Sequence, residues 1–346
     1  MSGENRGIGA RILTIRGMPQ VITVTVGLAI IFFIFSMLSE NFVSARNLRN
    51  LLRQMAPILI IGIAQSFVLI TGNIDLSIGS VVGMSCMISA TLMTKGVSPS
   101  GAVAITLISC LLIGALNGVL VARCGLPPFI ATLGTMTIAR GIAQIVNKNH
   151  NTDSIGEAAR AFRNLFYYGE YGGVYSTVWI AVVLWIIFNF ILSSTRTGRH
   201  IYAVGSNIEA ARMSGVNVGY TVTAAYLVSA FCSCVVGFIV CATGGVGTMD
   251  AGNMYELYAV AASVIGGVST LGGQGLLLGT VIGASIWSVL QNGLILAGAP
   301  VAIRNIAVGV IVVISVLLDI IVRQGTRMGK NKIAWFKRKT RERSES

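Results

Sequence analysis

Long apolar stretches, each ended by a short polar or glycine-rich interval, fill most of the chain. A hydrocarbon core of ~30 Å takes about 20 helical residues to cross. Against that ruler ten stretches are candidate crossings: 19–38, 57–70, 78–94, 101–122, 129–146, 174–192, 218–241, 255–270, 276–298 and 301–322. Their lengths, without the alternation that barrel strands need, predict helices. The expected fold is all-α: a polytopic helical membrane protein of about ten transmembrane helices, with both termini on one side because the count is even.

Two places break the pattern. Gly72-Asn73-Ile74-Asp75-Leu76-Ser77-Ile78-Gly79 divides the stretch 57–94, which has barely enough residues for two crossings. A second break, Gly266 to Gly275 with Gly272 and Gly273 at its centre, divides 255–298. Glycine-interrupted segments at corresponding places in two halves of a transporter point to the translocation pathway. Close helix packing or a tight turn explains the glycines equally simply.

Composition agrees with the pattern. The 346 residues are 54% apolar and 11% charged, where soluble domains carry about a quarter charged residues. The longest intervals without an apolar run, 147–173, 193–217 and 323–346, are each too short for a domain of ~50 residues. Lys and Arg number 25 against 12 Asp and Glu, and nine of the basic residues lie in the tail after 322. That placement suits a cytoplasmic tail on an anionic leaflet and argues against nucleic acid. With the N-terminus inside, the inner side holds 16 basic residues and the outer side 8, so the positive-inside rule places both termini in the cytoplasm. The first run, longer than the apolar core of a typical signal peptide, is expected to stay as an anchor. The resulting division is a cytoplasmic segment 1–18, a transmembrane region 19–322 with a cytoplasmic loop 193–217, and a basic tail 323–346.

The chemistry that is lacking is informative too. There is no GxxxxGK[ST] to cradle ATP, no CxxC, and only two histidines, so neither a cofactor nor a metal site is expected. The most specific short motif is Glu209-Ala210-Ala211-Arg212-Met213-Ser214-Gly215 in the loop 193–217. Ser206 with Glu209 three residues on predicts a capping box, and Gly215 a left-handed stop. A helix of two turns is too short to stand alone and should dock on something. Glu157-Ala158-Ala159-Arg160 repeats the first four letters but carries Arg163 where the motif has Gly, so it reads as an ordinary exposed turn.

Several stretches in order and spacing carry a family resemblance: Thr71 to Ser80, Leu126 to Met136 with Ala139-Arg140-Gly141, Thr197 to Gly205, and the EAAxxxG segment. From about residue 40 to 322 the chain resembles the permease subunit of bacterial ATP-binding-cassette sugar importers of the ribose type. The resemblance implies an inner-membrane location and a coupling helix that inserts into a separate cytoplasmic ATPase, with Gly205, Glu209, Ala210, Ala211 and Gly215 as coupling residues. It also implies a second permease copy, or a paired homologue, and a periplasmic sugar-binding protein delivering a pentose or hexose. Asn73 stands where the family usually has Gly, and Gln274 and Leu276 replace its usual Arg and Ser. These departures bear on the substrate.

Charges inside apolar runs are costly, roughly 2.5 to 3.5 kcal/mol at a helix centre, and tend to be functional or paired. Asp75 and Arg140 stand out for the pathway, with Arg140 alternatively fixing helix packing by binding carbonyls. Glu256, Arg304 and Asp319 lie nearer run ends. A neutral sugar needs hydrogen-bond partners, so Asn73, Ser77, Asn117, Gln144, Gln291 and the glycine pair 272–273 join the pathway candidates. The competing reading is an ion-coupled secondary transporter or channel, working without an ATPase and using Asp75 and Asp319 as coupling carboxylates. The polar stretch 147–173, with Tyr167, Tyr168 and Tyr171, is expected to face outward toward a delivery protein.

Overall fold

The computed structural model describes residues 18–314 and 316–317; all but the last residue of the segment expected at 1–18, the tail expected at 323–346, and Asp319 lie outside the described residues. Helices α1 (Met18–Leu38), α2 (Ala45–Ile70), α3 (Ile78–Thr94), α4 (Pro99–Ala122) and α5 (Pro128–Ile145) form the first half. A polar excursion follows, with the one-turn α6 (Arg160–Arg163), a π-turn over Asn164–Tyr168 and a small hairpin, β1 (Glu170–Tyr171) and β2 (Val174–Tyr175). Then come α7 (Ser176–Ser194), α8 (Arg196–Ser206), α9 (Ile208–Met213), α10 (Val218–Gly244), α11 (Tyr255–Ile265), α12 (Leu277–Leu296) and α13 (Val301–Ile314). Six of these, α1, α2, α4, α7, α10 and α12, are long and apolar enough to cross a membrane; α3, α11 and α13 are shorter apolar helices.

Local chemistry sets the ends. Ser98 accepts from Gly101 N–H at the start of α4, whose first residue is Pro99, and Asn217 accepts from Tyr220 N–H at the start of α10, as N-caps require. Helix α2 begins at Ala45, twelve residues before the apolar run expected from 57. Ser44 caps it, and its first turns alternate Arg46, Arg49 and Arg53 with Leu48, Leu51 and Leu52. An amphipathic start of this kind is invisible to a ruler that counts only apolar runs. At 26 residues α2 is about 39 Å long. The hairpin, unexpected in an all-α chain, turns through Gly172 and Gly173, both at positive φ, with Tyr171 opposite Val174.

Packing organises around α2 and α10. α10 lies along α2, α3 and α4, while α2 also packs on α7, α11 and α12. One apolar core joins α2, α7, α10, α11 and α12; a second joins α3, α4, α5 and the excursion to the other side of α10. The outward faces of α1, α4, α7 and α13 show large apolar side chains, among them Phe33, Leu112, Phe190 and Ile306, each more than 60% exposed. Surfaces like these suit lipid, since soluble proteins do not expose such continuous apolar area.

After α10 the backbone doubles back along α3. Gly247 lies against Met87 and Ala90, the Ala251 carbonyl against Gly83, and Gly252 against Val82. The non-helical segment 247–254 thus descends beside α3 before α11 starts. Irregular backbone at depth has to be enclosed by protein, and α3 and α5 enclose it here.

Candidate functional site

The loop 195–217 is built as two short helices at an angle. Thr195 caps α8 by accepting from Gly198 N–H (3.3 Å). α9 is capped by Asn207, whose Oδ1 accepts from Ala210 N–H at 3.0 Å; the expected cap, Ser206, is instead the last residue of α8 and packs against Gly273. With the cap one residue later, Glu209 falls in the first turn and pairs with Arg212 at 3.1 Å on an exposed face. Gly215 ends the motif at φ +81°, its N–H donating to the Arg212 carbonyl and Val216 N–H to that of Ala211, the geometry of a glycine stop. Ala211 is buried against the loop, whereas Ala210 is exposed. Ile208 (44% exposed) and Met213 (87%) flank it at the tip of this six-residue helix.

The root of this loop meets both glycine-rich breaks. Gly273 N–H donates to the Ile70 carbonyl, the last of α2, at 2.8 Å. Gly205 lies on the same carbonyl, so closely that a Cβ there would collide with it, and a Cβ on Gly272 would come within 2.8 Å of Gly72 Cα and 2.9 Å of the Gly205 carbonyl oxygen. Tyr202 O–H donates to the Gly275 carbonyl at 2.7 Å; burial pushes this phenol up to about 12, so it remains a donor throughout the physiological range. Three backbones, the end of α2, the end of α8 and residues 272–275, are thus joined in one junction.

Beyond the junction the first break turns inward to a polar network. Asp75 is 2% exposed and accepts from Ser77 N–H (2.8 Å), Ser77 O–H (2.6 Å) and Ser229 O–H (2.7 Å). Asn117 Nδ2 donates to Ser77 Oγ at 3.0 Å and Asn117 Oδ1 accepts from Thr135 at 2.6 Å. Tyr226 O–H donates to the Ile74 carbonyl at 3.0 Å. The network therefore ties the break to α4, α5 and α10, and neutral donors alone provide these bonds to the carboxylate. Asn73 stays outside it, bonding locally to Thr71 Oγ1 at 2.8 Å.

Arg140 does different work. Its Nη1 donates to the carbonyls of Met249 (2.9 Å) and Ala251 (2.8 Å) and lies over Gly83, while the Glu256 carboxylate lies over Gly79 one turn away on α3. Of the two roles open to Arg140 in the sequence, the geometry is that of a carbonyl clamp satisfying backbone acceptors of the descending segment. Gln144, one turn farther along α5, is exposed.

A family model described as branched-chain amino acid transport system / permease component matches residues 47–316. The chain belongs to that family. Ribose import permease protein RbsC of Haemophilus influenzae is 35% identical over 295 residues, 85% of this chain and 91% of that protein. RbsC of Escherichia coli K12 is 36% identical over 85% of this chain and 92% of that one. The D-allose transport system permease protein AlsC of Escherichia coli K12 is 34% identical, covering 84% and 89%. No solved structure matches the chain.

At the end of the permease away from the loop 195–217, the excursion 147–175 folds onto the bundle. Arg53 of α2 lies between the rings of Tyr167 and Tyr175, at 4.5 and 4.3 Å from their centroids. Thr152 N–H and Ile155 N–H donate to the carbonyls of Gly247 and Gly245. The second EAAR copy sits here as a short turn, with Glu157 and Arg160 lining a recess of about 360 Å³ that also borders Arg163 and Tyr168. Three residues of the site escaped the sequence reading: Thr135, Tyr226 and Ser229. Tyr226 and Ser229 stand three apart in the run 218–241, a spacing that places them on one helix face, but Tyr220, Thr221, Thr223 and Ser233 in the same run leave them without a distinctive signal.

Proposed function

We propose that this permease is the transmembrane subunit of an ATP-driven importer in the bacterial inner membrane, carrying a monosaccharide by alternating access. The observation that supports this best is the capped, exposed helix α9. It is too short to be stable alone, it holds apolar Ile208 and Met213 out at its tip, and it is rooted by Gly205 and Tyr202 in the junction of both breaks. A separate ATPase that binds the two permease conformations with different affinity shifts their equilibrium, and α9 is the place for it to bind. Glu209, Ala210, Ala211 and Gly215 shape that contact, while Gly205, Gly272 and Gly273 pass it to α2 and to the second break. The polar residues Asp75, Ser77 and Asn117 shape the interior beside the path.

In this reading ten helices cross, both termini are cytoplasmic, and the excursion 147–175 meets a periplasmic sugar-binding protein. A second permease copy completes the path. Relatives named for ribose and allose support a pentose or hexose as the sugar. The test is reconstitution of the chain in proteoliposomes with its ATPase and delivery protein. Uptake of D-ribose or D-allose is expected only with ATP, and Glu209→Lys is expected to abolish it while the protein still inserts. Uptake driven by an ion gradient without ATPase would replace this mechanism with the secondary-transport one.

A further inference from the structure

Between Ile58 and Ile70 the interior of α2 carries two adjacent polar side chains, Gln65 and Ser66, both 0% exposed. Their surroundings differ. Ser66 O–H donates to the Gly62 carbonyl and lies 2.9 Å from Thr280 Oγ1 and 3.2 Å from Ser263 Oγ, forming a hydroxyl seam with α11 and α12. Gln65 is turned about 100° from that seam, and neither its Oε1 nor its Nε2 has a protein hydrogen-bond partner. Ser80, Thr91, Thr106 and Ser288 also have unpartnered buried hydroxyls, but each leaves only one small hydroxyl unmatched. The amide of Gln65 presents a donor and an acceptor together.

Folded proteins avoid burying such a pair unmatched, and a Leu or Met of similar volume would fill the place without it. The amide also stands on the element that the coupling loop touches. Five residues, or roughly 7.5 Å, separate Gln65 from Ile70, whose carbonyl bears Gly205 and Gly273. A displacement of α2 at that junction reaches Gln65 within one and a half turns of the same helix. A sugar hydroxyl both donates and accepts and needs no countercharge, which is the complement of a carboxamide.

We infer that Gln65 is a sugar-binding residue of the translocation path, its amide pairing with a hydroxyl of the monosaccharide when α2 shifts from the packed position. This rests on the importer reading above. The experiment uses the full chain with its ATPase and delivery protein in proteoliposomes, with radiolabelled D-ribose, D-allose and D-galactose as probes. Gln65→Leu is expected to lower uptake efficiency about tenfold or more, with ATP hydrolysis retained and a melting temperature equal to or above that of the unaltered protein. Gln65→Asn, an amide one methylene shorter, is expected in between. In a Cys124→Ser background, which removes the one exposed cysteine of the six, Gln65→Cys should be labelled by a water-soluble maleimide during turnover and protected by the transported sugar. Gln65→Leu transporting at the unaltered efficiency, or Gln65→Cys unlabelled in every nucleotide state, overturns the inference. Failure of the importer reading shows separately, as an unaltered chain that moves none of the three sugars with ATP, and the inference falls with it.

Discussion

Two glycines of the loop 195–217 meet different physical constraints, and alanine substitution separates them. Gly205 is limited by space, since its Cβ would collide with the Ile70 carbonyl and crowd Gly273 N. Overpacking of this kind costs about 1 to 3 kcal/mol, and losing the Gly273 to Ile70 hydrogen bond adds about 1 kcal/mol. Gly205→Ala should therefore shift the docked loop toward release by about 2 to 4 kcal/mol, roughly 30-fold or more in the local equilibrium. Gly215 is limited by its φ of +81°, with nothing within 4 Å of a Cβ. Gly215→Ala should cost about 1 kcal/mol, and Gly215→Asn less, because Asn tolerates the left-handed region.

Hydrogen exchange over 196–216 and ATP-driven uptake in proteoliposomes measure both effects. Gly205→Ala is expected to lose protection across α8 and most of its uptake, and Gly215→Ala to fray α9 alone. Gly272→Ala strikes the same junction from the second break, so the double variant Gly205→Ala/Gly272→Ala should lose much less than the sum of the two single losses. Protection and uptake in Gly205→Ala equal to those of the unaltered protein would refute the junction as a mechanical link.

Further outcomes follow from the other contacts. Asp75→Asn keeps the shape and can still accept from Ser77, so ATP-driven uptake should persist at a reduced level; a complete loss with normal stability would favour the carboxylate of an ion-coupled transporter instead. Arg53→Ala removes two cation–π contacts, each worth roughly 0.5 to 1 kcal/mol, and should raise hydrogen exchange in 164–175 without altering exchange in α9. Tyr202→Phe should cost about 1 kcal/mol for the bond to Gly275. Because the folded phenol titrates near 12, above its unfolded value of 10, that stabilisation is full below pH 10 and is lost as pH rises toward 12. The melting-temperature gap between Tyr202→Phe and the unaltered protein should therefore be flat from pH 7 to about pH 9 and narrow above about pH 10.

Apolar run length located the helices of this permease well, because burial in lipid or protein demands it along the whole element. It misplaced the start of α2, where arginines alternate with leucines, and it missed that 247–254 descends beside α3, since an apolar count reports membership in a helix and not depth. The stop at Gly215 was legible because one residue type answers one backbone demand. The cap was not, because Ser206 and Asn207 are both competent and the choice was made by tertiary packing of Ser206 on Gly273. Asp75 was legible as a charge in an apolar context, but its partner Ser229, and Asn117 that donates to Ser77 beside it, are distant in sequence, and no local pattern pairs them.

The glycine-rich breaks illustrate how a correct signal can carry two meanings. Read as sequence, Gly72 and Gly272–Gly273 point to the translocation pathway or, alternatively, to close packing or a tight turn. In space they face each other and Gly205, and small residues are what allow three backbones to approach within hydrogen-bonding distance. The polar residues that follow the first break, Asp75 and Ser77, take the interior network instead. The two sets of residues are thus distinct, the glycines joining the ends of the breaks to the loop 195–217 and the polar side chains of the first break forming the interior network. A displacement of α8 consequently acts on the end of α2 and on the second break at one point. Coupling through a single point of this kind can be switched by one partner, which is the mechanical requirement that the proposed docking of an ATPase on α9 would have to meet.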